Sequence, residues 1–148
     1  MKFILTRELG KLTRWLRILG YDSIYYREDN ISSLVIESLR DNRIIVTRTK
    51  KLDDLKTKIV VIESSQIEEQ LKEIKHKLNL VIDESKMFTR CTVCNEPLFS
   101  IKKKDFKKDI PEYVYKTQEV FMQCKRCERI YWQGSHWGNV RKIIKALK

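Results

Sequence analysis

The chain has 148 residues, enough for one ordinary domain or a compact domain with a small appendage. Hydrophobic residues make up 42% of it, which supports a packed core and excludes wholesale disorder. No run approaches roughly 18 uncharged apolar residues, which excludes a membrane-spanning helix. Lysine and arginine number 31 against 20 acidic residues, a formal net charge of +11. Such an excess repels itself unless a polyanion relieves it. Residues 1–85 carry 16 basic and 14 acidic side chains, whereas residues 86–148 carry 15 and 6, so the basic character belongs to the C-terminal part. The opening apolar stretch Met1–Leu5 is too short for a signal peptide, and a soluble, cytoplasmic chain is expected.

The first elements alternate between two hydrophobic periods. Lys2–Leu5 is a short apolar run of strand type, and Glu8–Leu19 sets Leu9, Leu12, Trp15, Leu16 and Leu19 at helical spacing. Gly20 is a natural stop for that helix. Ser23–Tyr26 is again strand-like, and Asn30 or Ser32 can cap a helix reaching Leu39. The β-branched runs in Arg43–Thr47 and Lys58–Ile62 follow. Ser64 or Ser65 then caps a helix with Ile67, Leu71, Ile74 and Leu78 on one face. Strand, helix, strand, helix, strand, strand, helix predicts an α/β fold with a small, mostly parallel sheet flanked by helices. Continuous rather than alternating apolar strands agree, because parallel strands are buried on both faces. The carboxyl ends of the strands, where such sheets carry chemistry, fall near Thr6, Arg27–Asp29, Thr47–Thr49 and Glu63.

The pattern stops around Val81–Met87, which divides the chain into an α/β domain at 1–85 and a basic module with a closing helix at 86–148. That module holds all four cysteines as two pairs, Cys91 and Cys94, then Cys124 and Cys127, 29 residues apart. Each CxxC turn brings two sulfurs to one side, and two turns complete a tetrahedron with Zn–S bonds of about 2.3 Å. Four thiolates fill the coordination sphere, so the site is structural zinc; a redox dithiol and an iron–sulfur cluster are the alternatives. A module this small and this poor in aliphatic residues needs such a staple. His136, between Trp132 and Trp137, is either a packed histidine or a contact to phosphate or base.

The run from Leu9-Gly10-Lys11-Leu12 through Arg14-Trp15-Leu16-Arg17 to Gly20-Tyr21-Asp22 resembles the opening of the Mut-seven C-terminal RNase family. The likeness continues through Phe88-Thr89-Arg90-Cys91, Pro97-Leu98, Val114-Tyr115, the second CxxC, and Tyr131-Trp132 to His136-Trp137. It implies a PIN-like α/β nuclease domain followed by a zinc ribbon, hydrolysing RNA with carboxylate-bound Mg or Mn. Two acids of that pattern are missing. Thr6 stands where the family has an Asp after the first strand, and Thr47-Arg48-Thr49 replaces a Thr-Arg-Asp run. A threonine hydroxyl is a weak ligand for a hard divalent cation.

The expectation is therefore an RNA-binding protein with a degenerate nuclease fold. It would be a component of, or a factor on, a ribonucleoprotein particle such as the ribosome, in contact with ribosomal RNA and ribosomal proteins and monomeric outside it. RNA contacts are expected from Lys102, Lys103, Lys104, Lys107, Lys108, Lys125, Arg126, Arg129, Trp132, His136 and Trp137. One alternative is a metal-dependent ribonuclease using a shifted acid set of Asp22, Glu28, Asp29 and Asp53. Another is a regulator that binds a protein partner through its ribbon.

Overall fold

A computed structural model describes residues 1–52, 55–105, 110–134 and 136–148, with the side chain of His136 outside the described set. Four short strands, β1 (Lys2–Leu5), β2 (Asp22–Tyr25), β3 (Ile44–Thr47) and β4 (Ile59–Val61), form one sheet in the order β2-β1-β3-β4. Every neighbour pair in it is parallel. Helices α1 (Gly10–Ile18), α2 (Ile31–Arg40) and α3 (Ile67–Leu78) connect and flank these strands. The mixed α/β architecture with a parallel sheet is the one expected.

Alternate strand residues divide between two apolar layers, as a side-chain period of two requires. Phe3, Leu5, Ile44, Val46, Val60 and Ile62 pack with Leu12, Leu16, Leu71 and Ile74 of α1 and α3. Ile4 and Ile45 point the other way, toward Tyr26, Leu34 and Leu52. Helix α1 stops as predicted. Gly20 adopts φ +91, its N–H bonds the Arg17 carbonyl and the Tyr21 N–H reaches the Leu16 carbonyl, the paired bonds of a Schellman stop. Asn30 caps α2 by accepting from the Ser33 N–H at 3.0 Å. Neither Ser64 nor Ser65 caps α3. Its N-cap is Gln66, without a side-chain bond, because the Ser64 hydroxyl donates to Glu73 instead.

The C-terminal part builds an antiparallel sheet of β5 (Leu98–Ile101), β6 (Phe121–Cys124) and β7 (Ile130–Tyr131) in that order. A short helix, α4 (Glu112–Thr117), bridges β5 and β6, and α5 (His136–Leu147) closes the described chain. Helix α5 packs on α3, where Val140, Ile144 and Leu147 join the larger apolar cluster with Phe3 and Leu16. Their spacing of four and three residues places all three on one helix face.

Candidate nucleic-acid interface and metal centre

At the carboxyl ends of β1 and β3 the chain places a threonine on each strand, and the two hydroxyls meet. Thr6 Oγ1 lies 3.0 Å from Thr47 Oγ1, and the cluster is centred on a carboxylate, that of Glu8. Glu8 Oε1 accepts from Thr6 Oγ1 at 2.6 Å, from the Arg48 N–H at 3.0 Å and from Thr47 Oγ1 at 3.2 Å. The turn of 3-10 helix at Arg7–Leu9 folds Glu8 back over the strand end and makes this reach possible. Partial burial alone would raise the Glu8 carboxyl, but the bonds from Thr6, Arg48 and Thr47 outweigh it and hold it below its ordinary value. Thr49 serves the backbone: its hydroxyl accepts from the Lys51 N–H at 3.3 Å and so starts the short helical turn at Lys50–Leu52. These groups line a cleft of about 270 Å³ shared with Glu28, Asp29 and Asn30.

Of the shifted acid set, the described members that reach this cleft are Glu28 and Asp29. Asp29 is largely exposed and pairs with Arg7 at 3.2 Å. Asp22 does not join them, because it opens β2 at the amino end of the sheet. There its carboxylate accepts from Arg43 Nη1 at 2.7 Å and from Asn95 Nδ2 at 2.7 Å. Burial opposes its charge, yet the Arg43 and Asn95 bonds keep it below the usual carboxylate range. It is a structural hinge-point between sheet and ribbon. Asp53 lies outside the described residues. Glu8 is the residue that sequence reading missed. The one available signal was its place three residues after the first strand and two after Thr6, within reach of that position.

The cysteines come from two loops of the same build. Asn95 N–H bonds the Cys91 carbonyl at 2.9 Å and Glu128 N–H bonds the Cys124 carbonyl at 2.9 Å. Cys91 N–H bonds Glu96 O at 2.8 Å and Cys124 N–H bonds Arg129 O at 3.0 Å. Asn95 and Glu128, each just past the second cysteine of its pair, both take positive φ, 66° and 63°. The four sulfur atoms all lie within 4.8 Å of one another. Thiols held this close cannot all ionise alone. Burial first, then the neighbouring sulfurs, push Cys94 up to about 12, while Cys91, despite its own burial, is drawn down to about 7 by bonds from Tyr131 and the knuckle backbone. A divalent cation resolves that conflict by holding the four as thiolates, so the donor set fits a metal such as zinc.

Sequence comparison decides the lineage: the family model described as Mut7-C RNAse domain matches residues 1–144. The chain belongs to that family. Neither the curated proteins nor the solved structures yield a match. Membership ties this Mut7-C chain to nucleic-acid chemistry and makes RNA the polymer to consider. A catalytic Mg or Mn, which the family's activity implies, fits the strand ends poorly. Among the described residues the cleft offers three neutral threonines and three carboxylates: Glu8, whose inner oxygen already accepts three hydrogen bonds, and the exposed Glu28 and Asp29 at its rim. The exposed Asp29 is held by Arg7, and Glu63 stands 4.0 Å from Lys50. Hard cations want several free carboxylate oxygens converging on one point.

The expected RNA contacts of the Mut7-C ribbon separate into three groups. Lys102, Lys104, Lys125, Arg126 and Arg129 are exposed, Lys125 above the Phe99 ring and the last three around the second knuckle. Lys103 is engaged by Glu119 at 3.4 Å and by the Tyr115 ring. Trp132 lines two surface hollows and shares the first with Trp137, and both rings are partly exposed, Trp137 the more engaged by its neighbours. Its ring meets Phe88 edge-on at 4.3 Å, Arg141 covers it at 5.1 Å, and it packs against the main core. Lys107, Lys108 and the side chain of His136 lie outside the described residues. Among those described, no helix is long and apolar enough to cross a membrane.

Proposed function

We propose that this chain binds RNA on a nuclease fold that no longer cleaves it, with structural zinc holding the ribbon. The observation that carries the reading is the hydrogen-bonded cluster of Thr6, Glu8 and Thr47 at the strand ends. Thr6 stands where the family has an Asp, and its hydroxyl, with that of the neighbouring Thr47, donates to Glu8 instead of supplying a carboxylate. Glu8 is thereby an acceptor already satisfied rather than a ligand in waiting. The basic excess of residues 86–148 supports a polyanionic partner, and the exposed cations of the second knuckle supply phosphate contacts. A stable place in a ribonucleoprotein particle such as the ribosome is the finer form of this proposal, since a small basic protein without a turnover site acts by occupancy.

Incubation of the zinc-loaded protein with labelled single-stranded RNA and excess Mn²⁺ tests it. The expected result is a retarded complex whose RNA stays intact. Cleavage that EDTA and Asp29→Asn both abolish would establish a working metal site and overturn the non-cleaving reading. Failure to retard RNA at low salt would overturn binding itself. Co-sedimentation with a ribosomal subunit through a high-salt wash would support the finer form, and migration at the top of the gradient would count against it.

A further inference from the structure

The ribbon does not hang from the α/β layer; it is fastened along the outer edge of β2. Asn95 Oδ1 accepts from the Ser23 N–H at 3.0 Å, and Arg17 Nε donates to the Ser23 carbonyl at 2.9 Å. Arg17 Nη1 also reaches the Thr92 and Val93 carbonyls of the first knuckle, at 2.9 and 3.2 Å. Arg90 Nη1 donates to the Asn95 carbonyl at 2.7 Å, inside the knuckle, and its Nε reaches the Gly20 carbonyl at 3.3 Å. Between the fastened parts lies a groove of about 770 Å³, floored by β2 and walled by residues 93–97 and Arg126.

Five arginines, at positions 17, 27, 43, 90 and 126, line that groove against two acids, Asp22 and Glu96. Arg17 and Arg90 bond only to carbonyls in the contacts above, which accept a hydrogen bond without cancelling the charge. Arg43 faces Asp22. Arg27 and Arg126 are exposed, one at each side of the groove, and among the described residues neither is in an ion pair. The lining has too few apolar groups, Ile24, Val93 and Pro97, to enclose a small apolar ligand. Guanidinium groups held on two fixed walls match phosphate, which they grip in a bidentate fashion.

We infer that this groove is a track for the phosphodiester backbone of single-stranded RNA, with Arg27 and Arg126 gripping separate phosphates. The inference rests on the RNA-binding reading and gives it a place. Tyr25 and Arg27 face the groove while Tyr26 and Glu28 face the strand-end cleft, so a strand leaving the cleft passes directly onto the track. Because the first knuckle is bonded to β2 and the second, which carries Arg126, meets it at the cysteine cluster, the backbones bearing the two arginines are spaced before RNA arrives, which lowers the ordering cost of binding.

The test is fluorescence anisotropy of labelled oligouridylate against the zinc-loaded full chain, from about 50 to about 200 mM salt. It compares wild type, Arg27→Ala/Arg126→Ala, and a charge-matched control, Lys72→Ala/Lys142→Ala, on α3 and α5. The groove variant should bind at least about tenfold more weakly. Its slope of log affinity against log salt should fall by about 1.4, the value for two lost single-strand phosphate contacts. The control should change both far less. Equal loss in the two variants, with wild type binding, would overturn the groove and leave RNA binding standing. No binding by wild type would overturn both. Measured zinc content equal in all three proteins shows that the ribbon is intact and that the loss comes from the arginines.

Discussion

Replacing Thr6 by Asp puts a second carboxylate against Glu8, and the cost can be worked from the geometry. Thr6 Oγ1 is 2.6 Å from Glu8 Oε1, so the two charges would sit about 4 Å apart and repel by about 4 kcal/mol at an effective dielectric near 20. Glu8 is open to water, which reduces this to about 1–2 kcal/mol. Losing the hydroxyl donor costs about 1 kcal/mol more. Thr6→Asp should therefore destabilise the fold by about 2–3 kcal/mol at neutral pH, a fall of about 5–10 °C in Tm. The acid pair in the folded variant holds a proton more tightly than in the unfolded chain, so the penalty is full at neutral pH, shrinks as pH falls through the pair's raised range, and is largely gone by about pH 4. Thermal unfolding by circular dichroism at about pH 7 and about pH 4, variant against wild type, measures that difference. Excess Mn²⁺ should restore stability to the variant, by bridging the carboxylates, and leave wild type unchanged. A variant as stable as wild type at both pH values would show that Glu8 does not sit against residue 6.

Three further outcomes follow from the contacts described. The protein should hold about one zinc per chain by atomic absorption, and Cys127→Ser should reduce this sharply and abolish cooperative melting of the ribbon. Burial would raise Glu73, but the Glu63 and Ser64 N–H groups, Lys77 and the Ser64 hydroxyl together lower it to about 2. Wild type should thus exceed Glu73→Gln in urea stability by about 1–2 kcal/mol after allowance for solvent screening. That margin is full above about pH 4.5 and is lost as pH falls from there toward 2. Gly20→Ala should lower the unfolding free energy measured in urea by about 2–4 kcal/mol, since the new Cβ would lie 2.4 Å from the Lys86 carbonyl oxygen at φ +91.

What the sequence disclosed was whatever depends on local period and spacing. Ile44-Ile45-Val46 reads as a buried strand because both faces are apolar, and the two CxxC turns read as one metal site because each turn carries its own geometry. The strand-end chemistry was only half legible. The Thr6 and Thr49 positions marked an absence, but that Glu8 fills it depends on a turn of 3-10 helix and on β3 lying beside β1. Asp22 was grouped with Glu28 and Asp29 by nearness in sequence, yet a four-residue strand separates them by the full depth of the sheet. Trp137 carried an aromatic signal that fits stacking on a base and packing equally well, and only the placement of α5 against α3 and Phe88 shows that part of its ring rests on the core. Ser64 looked like a helix cap until Glu73, nine residues further on, claimed its hydroxyl.

The fastening of the knuckle to β2 ties metal supply to protein quality control. β2 is an edge strand, and an uncovered edge offers its N–H and C=O groups as a template for another chain. In this protein Asn95 and Arg17 occupy those groups at Ser23, and the loop that presents Asn95 runs on directly from Cys94 of the four-cysteine cluster. A metal held by those cysteines would brace that loop, and its removal would uncover a sticky margin in the otherwise folded α/β layer. Under metal starvation this chain is expected to be lost by clumping and proteolysis rather than to persist as a soluble apoprotein.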